Sequence, residues 1–166
     1  MFLREAMTSN EDIPRVDEIS FDENIPLKQL YKPAKKWARS RLQGKKVING
    51  DTGRLIEITG NGIDHTISSA YNPDVIHSMA VLPEMIERSK FVRSEPPHPP
   101  KEGKMPEQNL LAVERYETKV QIREKLYTAE LIVKVEKRNN RKVGRVDLIR
   151  LYYHHNLHGN AKGRQS

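Results

Sequence analysis

The chain has 166 residues, 36% hydrophobic and 31% charged, with a net charge of +7 and no cysteine. That length suits one domain with a core of its own and room for a tail. The missing cysteine excludes disulfides and thiolate metal centres, and no apolar run approaches the ~20 residues that cross a bilayer.

Residues 1–25 hold seven acids and two bases, a net of −5, which leaves +12 on the remainder of a +7 chain. They are read as an acidic tail or linker, either a plain spacer or a segment that folds back over the basic body. The opening Met1-Phe2-Leu3-Arg4-Glu5 lacks the apolar stretch of a signal peptide, and the missing cysteine suits a reducing cytosol. A body this basic suits a polyanion such as RNA, DNA or an acidic protein, although charge alone fits a solvated basic surface equally well.

The first helix is expected over residues 31–42. Ala34, Trp37, Ala38 and Leu42 fall on one stripe, Lys35, Lys36, Arg39 and Arg41 lie off it, and Pro33 is placed in the first turn. A hairpin follows, with strands at 45–49 and 54–59 around Gly50-Asp51-Thr52-Gly53. Gly60-Asn61-Gly62 ends the second strand, and Ile63 to Ser69 reads as a polar loop. A second helix starts at Asn72-Pro73, an N-cap followed by a first-position proline, and is kinked or broken at Pro83.

Ser94 to Pro106 contains five of the ten prolines and reads as a surface loop. Three strands complete the chain. Leu110–Arg123 changes phase, which a bulge near Glu114 would reconcile. Tyr127–Val135 alternates cleanly after a turn at Glu124-Lys125. Val143–His154 follows a basic turn at 137–142, and is apolar on both faces near Leu148-Ile149, as in a central strand. Helices set apart from an antiparallel sheet of about four to five strands make an α+β domain, assigned to residues 26–157 with a polar C-terminal tail at 158–166.

Several of these segments carry a resemblance in combination. They are Lys35-Lys36-Trp37-Ala38, Leu42-Gln43-Gly44-Lys45, Asn49-Gly50-Asp51-Thr52-Gly53, Asn61-Gly62-Ile63-Asp64-His65-Thr66, Leu82-Pro83-Glu84-Met85-Ile86, the strand of Tyr127 to Val135, and Leu151-Tyr152-Tyr153-His154-His155. From about residue 30 to 157 the chain resembles a domain of phage structural proteins and of large polyvalent proteins of phages and mobile elements. That domain is assigned to the barnase–EndoU–colicin–RelE nuclease fold. The resemblance implies helices packed on an antiparallel sheet, and metal-independent RNA cleavage that leaves a 2′,3′-cyclic phosphate.

Such cleavage needs a base for the 2′-hydroxyl, an acid for the leaving 5′-oxygen and cations for the phosphorane. Imidazole suits the first two roles. His65, followed by Thr66 and Ser68, matches the first active-site segment of the resemblance. Adjacent strand residues face opposite ways, so only one of His154 and His155 can face a site, and His155 is taken as that one. The expected carboxylate beside them is missing. Lys134, on the polar phase of the cleanest strand, completes a catalytic set of His65, His155 and Lys134. Thr66, Ser68, Tyr153, Arg141 and Arg145 are candidates for substrate contacts. No His-Glu-x-x-His run and no Gly-rich phosphate loop appears, so no metal and no cofactor is expected.

The partner the resemblance implies is RNA, a tRNA or an mRNA, with a phage structural protein or an inhibitor as a further partner, and the location it implies is the cytoplasm of the host cell or the virion. Two other readings stay open. One is a catalytically inactive module of the same fold that binds nucleic acid or protein. The other is a structural phage accessory protein.

Overall fold

In a computed structural model the described residues are 13–18, 21–22, 24–107 and 109–153. The first helix, α1, spans Leu27–Leu42 and buries Leu30, Ala34, Ala38 and Leu42, one residue per turn. It starts four residues earlier than its stripe suggests, so Pro33 lies inside the helix and not in its first turn. Pro33 is exposed, as is Gln29, whose carbonyl loses its N–H partner there. Strands β2 (Lys46–Ile48) and β3 (Leu55–Glu57) form the expected hairpin.

Asn49 locks the β2–β3 turn. Its buried amide nitrogen donates to the carbonyls of Ile86 and Ser89 at 2.8 and 2.9 Å, and its oxygen accepts from the N–H groups of Asp51 and Thr52 at 3.0 and 2.9 Å.

The segment read as a polar loop is a helix, α2 (Gly60–Ser68). Thr59 caps it by accepting from the Gly62 N–H, while Ile63 and Ile67, one turn apart, are buried. The glycines at 60 and 62, a stop by local reading, sit in its first turn: Gly62 faces the backbone carbonyl of Val146 and has no room for a Cβ, while Gly60 lies against the movable Arg39 guanidinium. Helix α3 (Pro73–Ser78) begins as expected, with Asn72 accepting from the Asp74 N–H and Pro73 in the first turn. A 3-10 turn at Met79–Val81 then leads into α4 (Leu82–Arg88), which makes the break near Pro83.

With β1 (Arg15–Val16), β4 (Lys90–Glu95), β5 (Leu110–Ile122), β6 (Lys125–Arg138) and β7 (Arg141–Tyr153) the sheet has seven strands in the order β1-β5-β6-β7-β3-β2, with β4 also paired to β5. Two strands go beyond the four or five expected. Strand β1 comes from the acidic N-terminal segment and runs parallel to the end of β5, and β4 immediately precedes the proline loop. The β3–β7 pairing is also parallel, so the sheet is mixed. Strands β5, β6 and β7 form the central meander. The β5 bulge lies at Leu111, not near Glu114. The β5–β6 turn is Arg123-Glu124, with Arg123 at φ 55°. The β6–β7 turn is Asn139-Asn140 at φ 50° and 64°, the left-handed pair that suits a two-residue hairpin and that asparagine tolerates.

Tyr127, Ala129, Leu131, Val133 and Val135 of β6 point to one face and share the main core with all four helices. The other face, here the open face, carries a small apolar island of Val113, Ile132 and Leu148 surrounded by charged side chains.

Candidate functional site

On the open face Lys134 of β6 lies directly across from Arg145 of β7. Two like charges in that position repel, and a carboxylate joins them. Glu107, at the end of the proline loop, accepts from Lys134 Nζ and from Arg145 Nη2, each at 2.6 Å. The chain of charges continues on one side. Arg145 Nε donates to Glu136 at 3.3 Å, Arg138 Nη2 to the other Glu136 oxygen at 2.8 Å, and Arg138 Nη1 to Glu57 at 2.6 Å. The hydrogen bond from Lys134, with the charges of Lys134 and Arg145, holds the Glu107 carboxyl below the usual range against some desolvation. Burial works to raise the Glu136 carboxyl, but Arg138 and Arg145 outweigh it and keep it low.

On the other side of Lys134 the β7 ladder is interrupted. Ile132 pairs with Leu148 and Val133 with Val146, which leaves Asp147 as an extra residue between them. A bulge of this kind re-aims one side chain. Asp147 Oδ1 lies 3.9 Å from Lys134 Nζ, and Oδ2 lies 3.6 Å from His65 Nδ1.

His65 arrives there because α2 takes over the edge of β7. Strand β3 pairs with β7 only at Gly144 and Arg145. Beyond them α2 lies against the strand. The Ile149 N–H donates to Thr66 Oγ1 at 3.2 Å, and His65 Nδ1 sits 3.1 Å from the Asp147 carbonyl. A carbonyl only accepts, so Nδ1 carries the proton and the half-exposed ring presents the Nε2 lone pair outward.

The structure thus brings together His65, Lys134 and Arg145 from the sequence-based set. Thr66 is nearby but buried, with its hydroxyl committed to β7. Ser68 is exposed at the end of α2, and Arg141 is exposed at the start of β7 across from Arg138. Tyr153 lies at the far end of β7, its ring 5.5 Å from that of Tyr127. Six residues separate it from Asp147, about 20 Å along a strand. His155 and His154 lie outside the described residues.

Sequence reading missed Asp147, Glu107 and Glu136. The signal for Asp147 was present, because Val146 and Ile149 are of opposite parity and both apolar, as they are around an inserted residue. Beside Lys134 a groove of about 740 Å³, lined by residues that include His98, Met105, Glu107 and Val113, runs under the proline loop. Among the described residues no group of three or more His, Asp or Glu side chains is arranged to hold a metal ion, and no helix is long and apolar enough to cross a membrane.

No curated protein and no solved structure matches the chain. A family model described as large polyvalent protein-associated domain 3 matches residues 26–152. The match runs from the residue before α1 almost to the end of β7, and contains all of the charged cluster around His65. The chain belongs to the large polyvalent protein-associated domain 3 family, and with it to the accessory domains of phage and mobile-element proteins.

Proposed function

We propose that the open face around His65 is an RNA-cleaving site on a barnase- and RelE-like scaffold. His65 Nε2 takes the proton from a 2′-hydroxyl, O2′ attacks the adjacent phosphorus, and the P–O5′ bond breaks to give a 2′,3′-cyclic phosphate and a 5′-hydroxyl. Arg145 stabilises the charge on the phosphorane. The ammonium of Lys134 supplies the proton to the leaving oxygen, and His155 remains a candidate for that same role. Asp147 is a positioning residue: its carbonyl fixes the imidazole tautomer, and its carboxylate stands between the ring and Lys134. The reading rests on one observation. Side chains 69 positions apart in the sequence, His65 and Lys134, meet at the two oxygens of a carboxylate that a bulge has thrown out of the ladder.

The test is cleavage of end-labelled RNA in EDTA with analysis of the product ends. Cyclic phosphate is expected, and His65→Ala should slow the reaction by about 10²–10⁴-fold. RNA left intact by the full chain, or an unchanged rate in His65→Ala, overturns the catalytic roles.

The pairing of Lys134, Arg138 and Arg145 with carboxylates supports a second reading, a module of this family without activity. Glu107→Gln separates the two. If Glu107 stands where a phosphate belongs, removing its charge should tighten binding of RNA on the order of tenfold, the value of one charge-assisted hydrogen bond. An inert face would gain nothing. Titration of the variant and the unaltered protein with RNA that cannot be cleaved reads this directly.

A further inference from the structure

The cations around Glu107 and Glu136 are paired, yet a second set has, among the described residues, a single ion pair. Between Glu23 and Asp51 the sequence has no acid and eight bases, Lys28, Lys32, Lys35, Lys36, Arg39, Arg41, Lys45 and Lys46. All of them lie on α1 or between α1 and the end of β2. Among the described residues only Arg39 of these eight has an ion-pair partner, Asp64 of α2. Lys28, Lys32 and Lys36 are exposed and follow one another at intervals of four, a ridge with a rise of about 6 Å per step. Like charges at that spacing destabilise a helix by a few tenths of a kcal/mol per pair, so the ridge opposes folding, and among the described residues no carboxylate pairs with it.

We infer that the α1 ridge is a docking surface for the sugar–phosphate backbone of a nucleic acid. Three observations select that partner over an acidic protein. Three of the charges, Lys28, Lys32 and Lys36, form a line along the exposed side of α1. The ridge is built of lysine, which is depleted in the cores of protein interfaces and common on phosphates. Its direction leads to the site: Arg39 holds Asp64, and the next residue is His65. A strand that leaves α1 at Arg39 thus arrives at the helix that carries the imidazole, beside Asp64 in the middle of α2. This deepens the cleavage reading, on which only the destination of the strand rests.

The experiment uses the full chain and a fluorescent 2′-O-methyl oligoribonucleotide, which has no free 2′-hydroxyl to attack, with DNA of the same sequence as a second arm. Binding is followed by anisotropy over a salt series. The triple variant Lys28→Gln, Lys32→Gln, Lys36→Gln should bind at least about tenfold more weakly, and its plot of log affinity against log salt should be shallower by about 2, the slope carried by three single-strand phosphate contacts. Its unfolding midpoint should stay level or rise, because repulsion has been removed. Equal loss on both probes identifies the shared backbone as the ligand, and loss confined to one names RNA or DNA. An unchanged affinity and slope, no binding by the unaltered protein, or tighter binding of poly-glutamate than of either oligonucleotide overturns the inference. Intact docking in a protein that never cleaves RNA sinks the catalytic reading alone.

Discussion

Replacing Gly62 with alanine is expected to lower the stability of the domain by about 3 kcal/mol, although alanine is the better helix former by about 1 kcal/mol. A Cβ at this position would stand 1.9 Å from the carbonyl oxygen of Val146 and 3.0 Å from its carbonyl carbon. Both atoms belong to the backbone of β7, so no side chain can turn aside. Either α2 lifts from the strand or the strand bends. Lifting breaks the hydrogen bond between the Ile149 N–H and Thr66 Oγ1 and draws His65 away from Asp147. Urea unfolding should show a lower midpoint, and any RNA cleavage should fall with it. Ser68→Ala, at an exposed position on the same helix, is the control and should leave the midpoint unchanged or slightly raised. A Gly62→Ala protein as stable as the parent would mean that α2 does not seat on β7 as described.

The second large effect is expected at Glu114. This carboxylate is 9% exposed and accepts from Arg54 Nε and Nη2 at 3.1 and 2.6 Å and from the Tyr116 hydroxyl at 2.7 Å. It joins the β2–β3 hairpin to the centre of β5. Burial pushes the Tyr116 hydroxyl up to about 12, with the Glu114 charge adding to the shift. Glu114→Gln keeps the shape but leaves a guanidinium inside the fold without its counter-ion, and breaking a buried pair in this way costs about 3–5 kcal/mol. For a chain of this size, 3 kcal/mol lowers the melting temperature by about 6–12 °C. The variant should also change the acid limb of the stability curve. Burial works to raise the Glu114 carboxyl, but the hydrogen bonds from Arg54 and Tyr116 and the Arg54 charge more than reverse it, so the group titrates below its ordinary value. A carboxyl lowered on folding contributes fully above its unfolded pKa of about 4.3, and the contribution disappears as the pH falls through the folded value. The difference between the parent and Glu114→Gln should therefore be greatest near neutrality and shrink below about pH 4. A difference independent of pH would assign the cost to packing and not to charge.

The residues that place the site were legible to different degrees. The stripe of Ala34, Ala38 and Leu42, the Asn72-Pro73 helix start and the alternation from Tyr127 to Val135 are local patterns set by one face against one core, and each formed its expected element. Helix α2 was hidden because Gly60 and Gly62 are there for a long-range reason, the approach of β7 and of the Arg39 side chain, while local reading treats glycine as punctuation. Strand β4 was hidden because its six residues are nearly all exposed and its pairing depends on β5, some twenty positions away. His65 and Lys134 were chosen from a resemblance and from strand parity. The carboxylates that surround them belong to other segments, and nothing in the spacing of Glu107, Glu136 and Asp147 brings them together before the sheet is built.

The inserted residue in β7 has a consequence of its own. With Asp147 deleted, Arg145, Val146, Leu148 and Ile149 would alternate strictly against β6, and the hairpin would become more regular. One lost codon would improve the pairing and at the same time remove the group that spans the imidazole and the ammonium. On the cleavage reading, a protein carrying that gap is expected to keep the sheet and lose the chemistry, so circular dichroism of the Asp147 deletion should match the parent while its cleavage of RNA disappears.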